Sequence, residues 1–553
     1  MEILLGIEKL KNIGIEILKT FSRKALLETI TDLKNIIEVL LKDTTDLKDQ
    51  ILKLKHEINR LKGQKGIPRI QPNKNQEKSD HPEKSDTKKK KWKKSKKKQN
   101  IKITRRERLP INKDDLPHDA VFKGTREVII QDIKIELDNV AFVRERYYSK
   151  SESKTYEAPL PPEYQYGEFG PGIRSLILLL HYQARMPQKL LHRILTDFGV
   201  IISEGEIWYI IETSSGYFSK ESYASREAGI AKEGFQQIDD TSARIGGKNG
   251  FTIATCNDYF TSYETGLKKD RLSALIALAG GRELLFFIND FAIAYLLEKL
   301  PRNLASEQLA KFISDRVYTK KEFHDDILMS PHLKKYGSQT MRFIEEACAI
   351  AAYRADYLGI CSSKVICDGA PQFKGLCEYL QLCWIHEARP YEKLLPYLDD
   401  HKKLVEDFIT ELWQYYGKLK DYKRNPSPQL KKKMSEEFDD VFSADTNFYV
   451  LNNYITETKK KKTELLLVLE FPKIPIHNNG CELVIREKVV QRKIRNCHRG
   501  INGAKKSDIF LGLMATCRKN KLSFWKYLTD RIYKIFNFPG LDKIIEQAPL
   551  PSP

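Results

Sequence analysis

Leu26, Leu33, Leu40, Leu47, Leu54 and Leu61 recur at every seventh residue, and Ile30, Ile37, Thr44, Ile51 and Ile58 fill the alternate seam position. A strict seam of this length restricts the segment to one long helix with a narrow apolar stripe to cover. Ile at a with Leu at d favours two parallel strands, and the polar Thr44 at an a position helps to fix register at some cost in stability. Residues 1–63 are therefore expected to form a coiled coil that makes a homodimer. The alternative is a helix packed on its own globular body, which ordinarily carries a wider apolar stripe.

Beyond Gly63 the chain turns polar, and from Lys84 to Arg108 it holds fourteen basic residues against Asp86 and Glu107. The difference of twelve is more than half of the whole chain's net charge of +20. Such a tract buries no core, so 64–108 is expected to be a disordered basic arm. Lys88, Lys89, Lys90, Lys91, Lys93 and Lys94 are its candidate DNA contacts, because each neutralised phosphate releases a counterion whatever the sequence. Trp92 within the run can stack on an unpaired base. A solvated spacer is the alternative, although spacing alone requires no such one-sided charge.

At 553 residues, the chain exceeds one ordinary core. Its nine cysteines form no CxxC pair, and their odd number argues for a reducing interior. The expected location is the cytoplasm. The opening residues lack a signal-peptide pattern. The most apolar stretch, Ala274 to Leu297, contains Arg282, Glu283 and Asp290, so no membrane span is expected.

Residues 109–170 contain runs such as Glu127–Gln131 and Val140–Tyr148 that read as strands of a small β module. Residues 171–222 read as three helices with helix-turn-helix spacing: Pro187 starts one, Gly199 marks a turn, and Ser203 with Glu206 has the spacing of a capping box. The last of these helices is more apolar than basic, and plain helix packing fits it as well as groove readout does.

Three acids stand at positions with chemical meaning. Phe235–Ile238 is a short apolar strand that ends in Asp239 and Asp240, and two further strands follow within 250–263. Lys364–Cys367 is a second such strand, ending in Asp368, and Leu380–Ile385 reads as another that leads to His386. Glu482 follows the turn residues Pro475–Gly480 at the start of a helix bearing Arg486 and Lys493. Taken singly, each aspartate reads as a turn former and Glu482 as a cap for Asn479. Together, in a strongly basic chain, two strand-end aspartates and a helix glutamate are the oxygen donors that hard divalent cations require. Two metals roughly 4 Å apart clamp the attacking and leaving oxygens of a phosphoryl displacement.

With these residues the chain resembles the DDE transposases of bacterial insertion sequences, of the insertion-sequence-sixty-six type. Ile238-Asp-Asp-Thr241 is similar to the family's Asp-Glu-Thr, Cys367-Asp-Gly-Ala-Pro-Gln-Phe373 to its second-acid motif, and Leu382-Cys-Trp-Ile-His386-Glu-Ala-Arg389 to its Cys-Trp-x-His segment. Pro475-Ile-His-Asn-Asn-Gly-Cys-Glu482 resembles Pro-x-Asp-Asn-Asn-x-x-Glu, with His477 in place of the Asp and Leu483 in place of a basic residue. The region 109–170 lacks the cysteines of a zinc ribbon.

The resemblance implies an α/β fold with an RNase H-like catalytic core in two parts, 223–395 and 471–553, around a helical insertion at 396–470. The coiled coil, basic linker, β module and helix-turn-helix-like segment precede this core. It also implies Asp239, Asp368 and Glu482 as catalytic acids holding two Mg2+ ions, with Mn2+ as substitute. His386, Arg389, Arg486, Arg492 and Lys493 are then expected to contact double-stranded DNA, at transposon ends and target, with accessory proteins as further partners. The expected activity is metal-dependent DNA cleavage and strand transfer. The alternatives are a dimeric DNA-binding protein without catalysis and a nuclease without strand transfer.

Overall fold

The computed structural model describes residues 22–61, 102–165, 167–301, 304–357, 359, 361–443 and 445–549. The chain divides into two compact units, 43–138 and 1–42 together with 139–553. Lys88, Lys89, Lys90, Lys91, Lys93, Lys94 and Trp92 lie outside the described residues.

The heptad segment forms one helix, α1 (Arg23–Leu61). Its seam stays exposed, with Ile30, Leu33, Ile37, Leu47, Ile51 and Leu54 each at least two-fifths accessible. A different, polar flank of the same helix is buried. Asn35 accepts from the backbone N–H of Tyr449 at 2.9 Å, and Asp32 accepts from the Tyr449 hydroxyl at 2.6 Å. Glu38 accepts from the backbone N–H groups of Tyr397 and Leu398 and faces His401 Nδ1 at 3.2 Å. The helix is thus anchored on its own chain by side chains that no hydrophobic pattern reports, while the stripe itself remains uncovered.

The expected β module is smaller than the sequence predicts. Among the described residues of 102–138 there is no strand, and Val128 and Ile130 of the Glu127–Gln131 run are exposed. An apolar alternation without a neighbouring strand has no ladder to join. What forms is one hairpin, β1 (Arg146–Ser149) with β2 (Lys154–Glu157), in the other unit.

Three helices follow, α2 (Pro171–Leu178), α3 (Gln188–Asp197) and α4 (Glu204–Thr213), and Ser203 caps the last by accepting from the Glu206 N–H. The exposed positions of α4 are Glu204, Gly205, Trp208, Tyr209 and Thr213, none of them a cation. Helix α5 (Ser215–Glu233) then delivers the chain to the central sheet.

That sheet contains β3 (Phe235–Ile245), β4 (Lys248–Cys256) and β5 (Thr261–Gly266), antiparallel in sequence. Helix α6 (Arg271–Leu278), a two-residue pair β6 (Phe286–Phe287) with β7 (Val317–Tyr318), and α7 (Ser338–Arg354) lead to β8 (Lys364–Cys367) and β9 (Tyr379–Leu382). Both are parallel to β3, so the sheet is mixed, in the order β5-β4-β3-β8-β9. Trp384 and Ile385, which the sequence pattern puts on a strand, begin helix α8 (Trp384–Glu392) instead.

Helices α9 (Asp399–Arg424), α10 (Pro428–Val441) and α11 (Tyr449–Lys459) form a helical subdomain. Trp384 plugs into it: the ring lies 5.6 Å from that of Tyr415, and Nε1 donates to the Leu465 carbonyl at 2.9 Å. The chain returns to the sheet as α12 (Asn479–Arg495) and ends in α13 (Ile501–Lys519), α14 (Phe524–Ile532) and a short helix at Leu541–Gln547. Helices α13 and α14 are separated at Lys521, whose φ of 58° no helix continues through.

The sheet separates two cores. Ile238 and Ile253 face one, with α6, α7 and the helical subdomain, whereas Ala254, Cys256 and Tyr263 face the other, with α12, α13 and helices α2 to α4. No described helix is long and apolar enough to cross a membrane.

Candidate active site

Register decides which of the paired aspartates faces which core. Asp239 pairs with Ala254 and Asp240 with Ile253, and directly paired residues share a face of the sheet. Asp239 therefore points toward the α12 side, together with Gln237, and Asp240 points the other way. Asp240 is held there by Lys269 Nζ at 2.8 Å and by Gln372 Nε2, which donates to it at 2.6 Å.

Gln237 pairs with Ile366 on the parallel neighbour β8. Extending this register by two residues brings Asp368 abreast of Asp239, one strand spacing away, about 4.8 Å. Asp368 closes its own turn by accepting from the Ala370 N–H at 3.0 Å, and Gly369 supplies the left-handed φ of 87° that the turn needs.

Helix α12 is clamped to β3 beside Asp239. Asn478, fully buried, donates to the Ile238 carbonyl at 2.9 Å, and the Cys481 N–H donates to Gln237 Oε1 at 3.2 Å. Glu482, the next residue, does not cap its helix: Asn478 occupies the N-cap position, so capping-box geometry falls on Cys481. Its Oε1 instead lies 3.4 Å from Arg389 and 3.5 Å from His386 Nδ1. The Nδ1 atom is buried without a hydrogen bond.

The electrostatics follow from this convergence. Burial pushes the Asp239 carboxyl up to about 7, the Asp240 N–H opposes the rise, and the charges of Asp368, Asp240 and Glu482 add to it. His386 is lowered by burial and by Arg389, against the pull of Glu482 and Asp368. A buried carboxylate among like charges is relieved by a cation, and three carboxylates are the donor chemistry of a hard divalent ion. Among the described residues, however, no three or more His, Cys, Asp or Glu side chains are already gathered as a ligand set.

The sequence-predicted cations are dispersed along α12. Arg486 is exposed one turn beyond Glu482, Lys493 is exposed near the C-terminal end, and Arg492 reaches back to β3, where it donates to the carbonyl and hydroxyl oxygens of Ser242. Sequence reasoning missed Gln237, Gln372, Lys269 and Asn478. The first is polar two residues before Asp239 and so shares its face, a signal available from strand alternation alone.

A family model, Transposase IS66 family, matches residues 351–506, a span that includes Asp368, His386, Arg389 and Glu482 but not Asp239. An uncharacterized protein, y4jO, of Sinorhizobium fredii (strain NBRC 101917 / NGR234) is 32% identical over 310 residues, covering 55% of this chain and 94% of that protein. The chain belongs to the IS66 family of transposases.

Proposed function

We propose that the protein cleaves and joins DNA at Asp239, Asp368 and Glu482. The observation that carries this reading is the meeting of the middle of β3, the C-terminal end of β8 and the start of α12, with the Gln237–Cys481 clasp joining β3 to α12. The strand order, three antiparallel strands continued by two parallel ones, supports an RNase H-like core with 396–470 as its helical insertion.

In this reading a water oxygen attacks phosphorus at an element end, the bond to the 3′ oxygen breaks, and a 3′ hydroxyl is freed. That hydroxyl then attacks a target phosphodiester, one phosphorus–oxygen bond forming as another breaks. Asp239, Asp368 and Glu482 would hold Mg2+ or Mn2+, which when bound would supply Lewis-acid stabilisation of the attacking and leaving oxygens. Arg389 and Arg486 flank Glu482 and bind backbone phosphate, and His386 lines the same wall. The exposed seam of α1 pairs two copies, so that two DNA ends are held together. The basic arm adds sequence-independent affinity.

A strand-transfer assay with end DNA and Mg2+ tests the proposal. Joined products support it, cleaved but unjoined DNA reduces the protein to a nuclease, and binding without cleavage reduces it to a DNA-binding dimer.

A further inference from the structure

Strand β3 and helix α12 meet a second time at their far ends. There Ser242, Arg244, Lys488, Arg492, Arg495 and His498 line a cleft with an interior volume of about 20 Å³. The segment after α12 is stitched to the strand: the His498 N–H donates to the Arg244 carbonyl at 3.0 Å, and the Gly246 N–H donates to the His498 carbonyl at 2.8 Å. The cleft is therefore a built feature of the β3–α12 pair.

Its charge is not compensated from within. Lys488 is paired with Asp508 in the core. Arg244, Arg492 and Arg495, by contrast, donate to the Gly247 carbonyl, to Ser242, and to the Arg185 and Met186 carbonyls. None of the three has a carboxylate within ion-pair reach among the described residues. Two neighbouring imidazoles are lowered chiefly by their burial, and the nearby cations add to it. Burial, then Lys488 and Arg495, hold His498 down at about 4, and burial, then Arg495 and His498, hold His181 down at about 3. Basic residues at a helix C-terminus complement its dipole, but that accounts only for Arg492 and Arg495. Arg244 comes from the strand.

We infer that this cleft binds one backbone phosphate of the DNA duplex, resting across its mouth with a single oxygen inside. The interior accommodates one water-sized group and no more. The inference rests on the proposed DNA chemistry and adds a register to it. Along α12, Glu482 to Arg492 is ten helical residues, about 15 Å. At about 3.4 Å per base pair, the phosphate held in the cleft lies roughly four to five pairs from the one at the carboxylates.

Cys497 lines the cleft and is the one exposed cysteine among the described residues, so it reports occupancy directly. The rate of maleimide labelling at Cys497 is measured by peptide mass spectrometry on the full-length protein. A twenty-base-pair duplex is added at a concentration that saturates the anisotropy change, and inorganic phosphate at equal phosphate concentration forms a second arm. Duplex should slow labelling at least tenfold, inorganic phosphate should not, and Arg244→Gln should restore most of the rate. Arg492→Gln should do the same. Arg244 is exposed and away from both cores, so its variant remains informative if the other fails to fold. An unchanged labelling rate under saturating duplex overturns the inference while leaving the catalytic reading intact, and so does full protection of Arg244→Gln. Equal protection by inorganic phosphate makes the cleft a free-anion site and overturns it as a DNA contact. Absence of any anisotropy change overturns the DNA reading, and this inference with it.

Discussion

Gln237 Oε1 accepts the backbone N–H of Cys481 at 3.2 Å, joining the strand of the first acid to the helix of the third. The partners are two residues before Asp239 and one before Glu482, so this hydrogen bond, together with that from Asn478 to the Ile238 carbonyl, fixes the relative placement of two carboxylates supplied more than 240 positions apart. Gly480 makes this approach possible. A Cβ there would stand 2.8 Å from Gln237 Oε1 and 2.9 Å from its Nε2.

Gly480→Ala should therefore displace the Gln237 side chain. The expected cost is roughly 1–3 kcal/mol, the ordinary penalty of forcing a methyl into a packed site. Thermal unfolding measures the loss, and cleavage should fall further than stability alone explains. A variant as stable and as active as wild type would show that the clasp aligns nothing.

Asp239→Asn, Asp368→Asn and Glu482→Gln remove charge while keeping size. Outer-sphere changes at metal sites cost about 10–100-fold, so each of these should lower cleavage by more than about 100-fold with DNA binding retained. Asp240→Asn should fall within that outer range, because Asp240 faces Lys269 and Gln372 on the opposite side of the strand. Quantified cleavage that fell more for Asp240 than for Asp239 would move the site to the other face.

Lys488 and Asp508 form a buried ion pair, and Asp508 also accepts from the Thr265 N–H at 2.8 Å and the Thr265 hydroxyl at 2.9 Å. Asp508→Ala leaves a buried ammonium unpaired, and its expected cost is about 3–5 kcal/mol in denaturant unfolding. A loss below 1 kcal/mol would mean that water reaches the pair.

Burial, reinforced by Asp508, raises the Glu264 carboxyl to about 7. Between its ordinary value near 4.5 and 7 the folded state holds a proton that the unfolded chain has released, so this group makes stability fall as pH rises through that window. Glu264→Gln cannot lose that proton. Its melting temperature relative to wild type should climb from pH 4.5 to 7 and level off above. A difference independent of pH would refute the shifted carboxyl.

The α1 seam and its polar flank predict separable effects. Leu47→Glu with Leu54→Glu should weaken self-association more than tenfold in sedimentation while leaving the melting of the body unchanged, since both positions are exposed. Glu38→Ala should do the reverse, because it removes the acceptor shared by Tyr397, Leu398 and His401. Self-association that survived the paired seam substitutions would return α1 to a purely intramolecular role.

The sequence by itself determined what depends on local pattern. Heptad spacing marked α1, an apolar run ending in an acid marked β8, and turn residues before Glu482 marked the start of α12; the run Phe235–Ile238 marked only the first part of β3, which continues through both aspartates to Ile245 because β4 pairs with it throughout. Each follows from periodicity or from backbone preferences that act over a few residues. Partners distant in sequence were decided by tertiary structure. Alternation alone says that Asp239 and Asp240 face opposite ways, but only pairing with β4 and β8 says which side is which. The polar anchor of α1, the Arg389–Glu482 contact and the Arg244–Arg492 cleft are invisible in any window of the sequence, because each joins residues from different elements. The run at Glu127–Gln131 teaches the converse: a strand pattern becomes a strand only where another strand completes its hydrogen bonds.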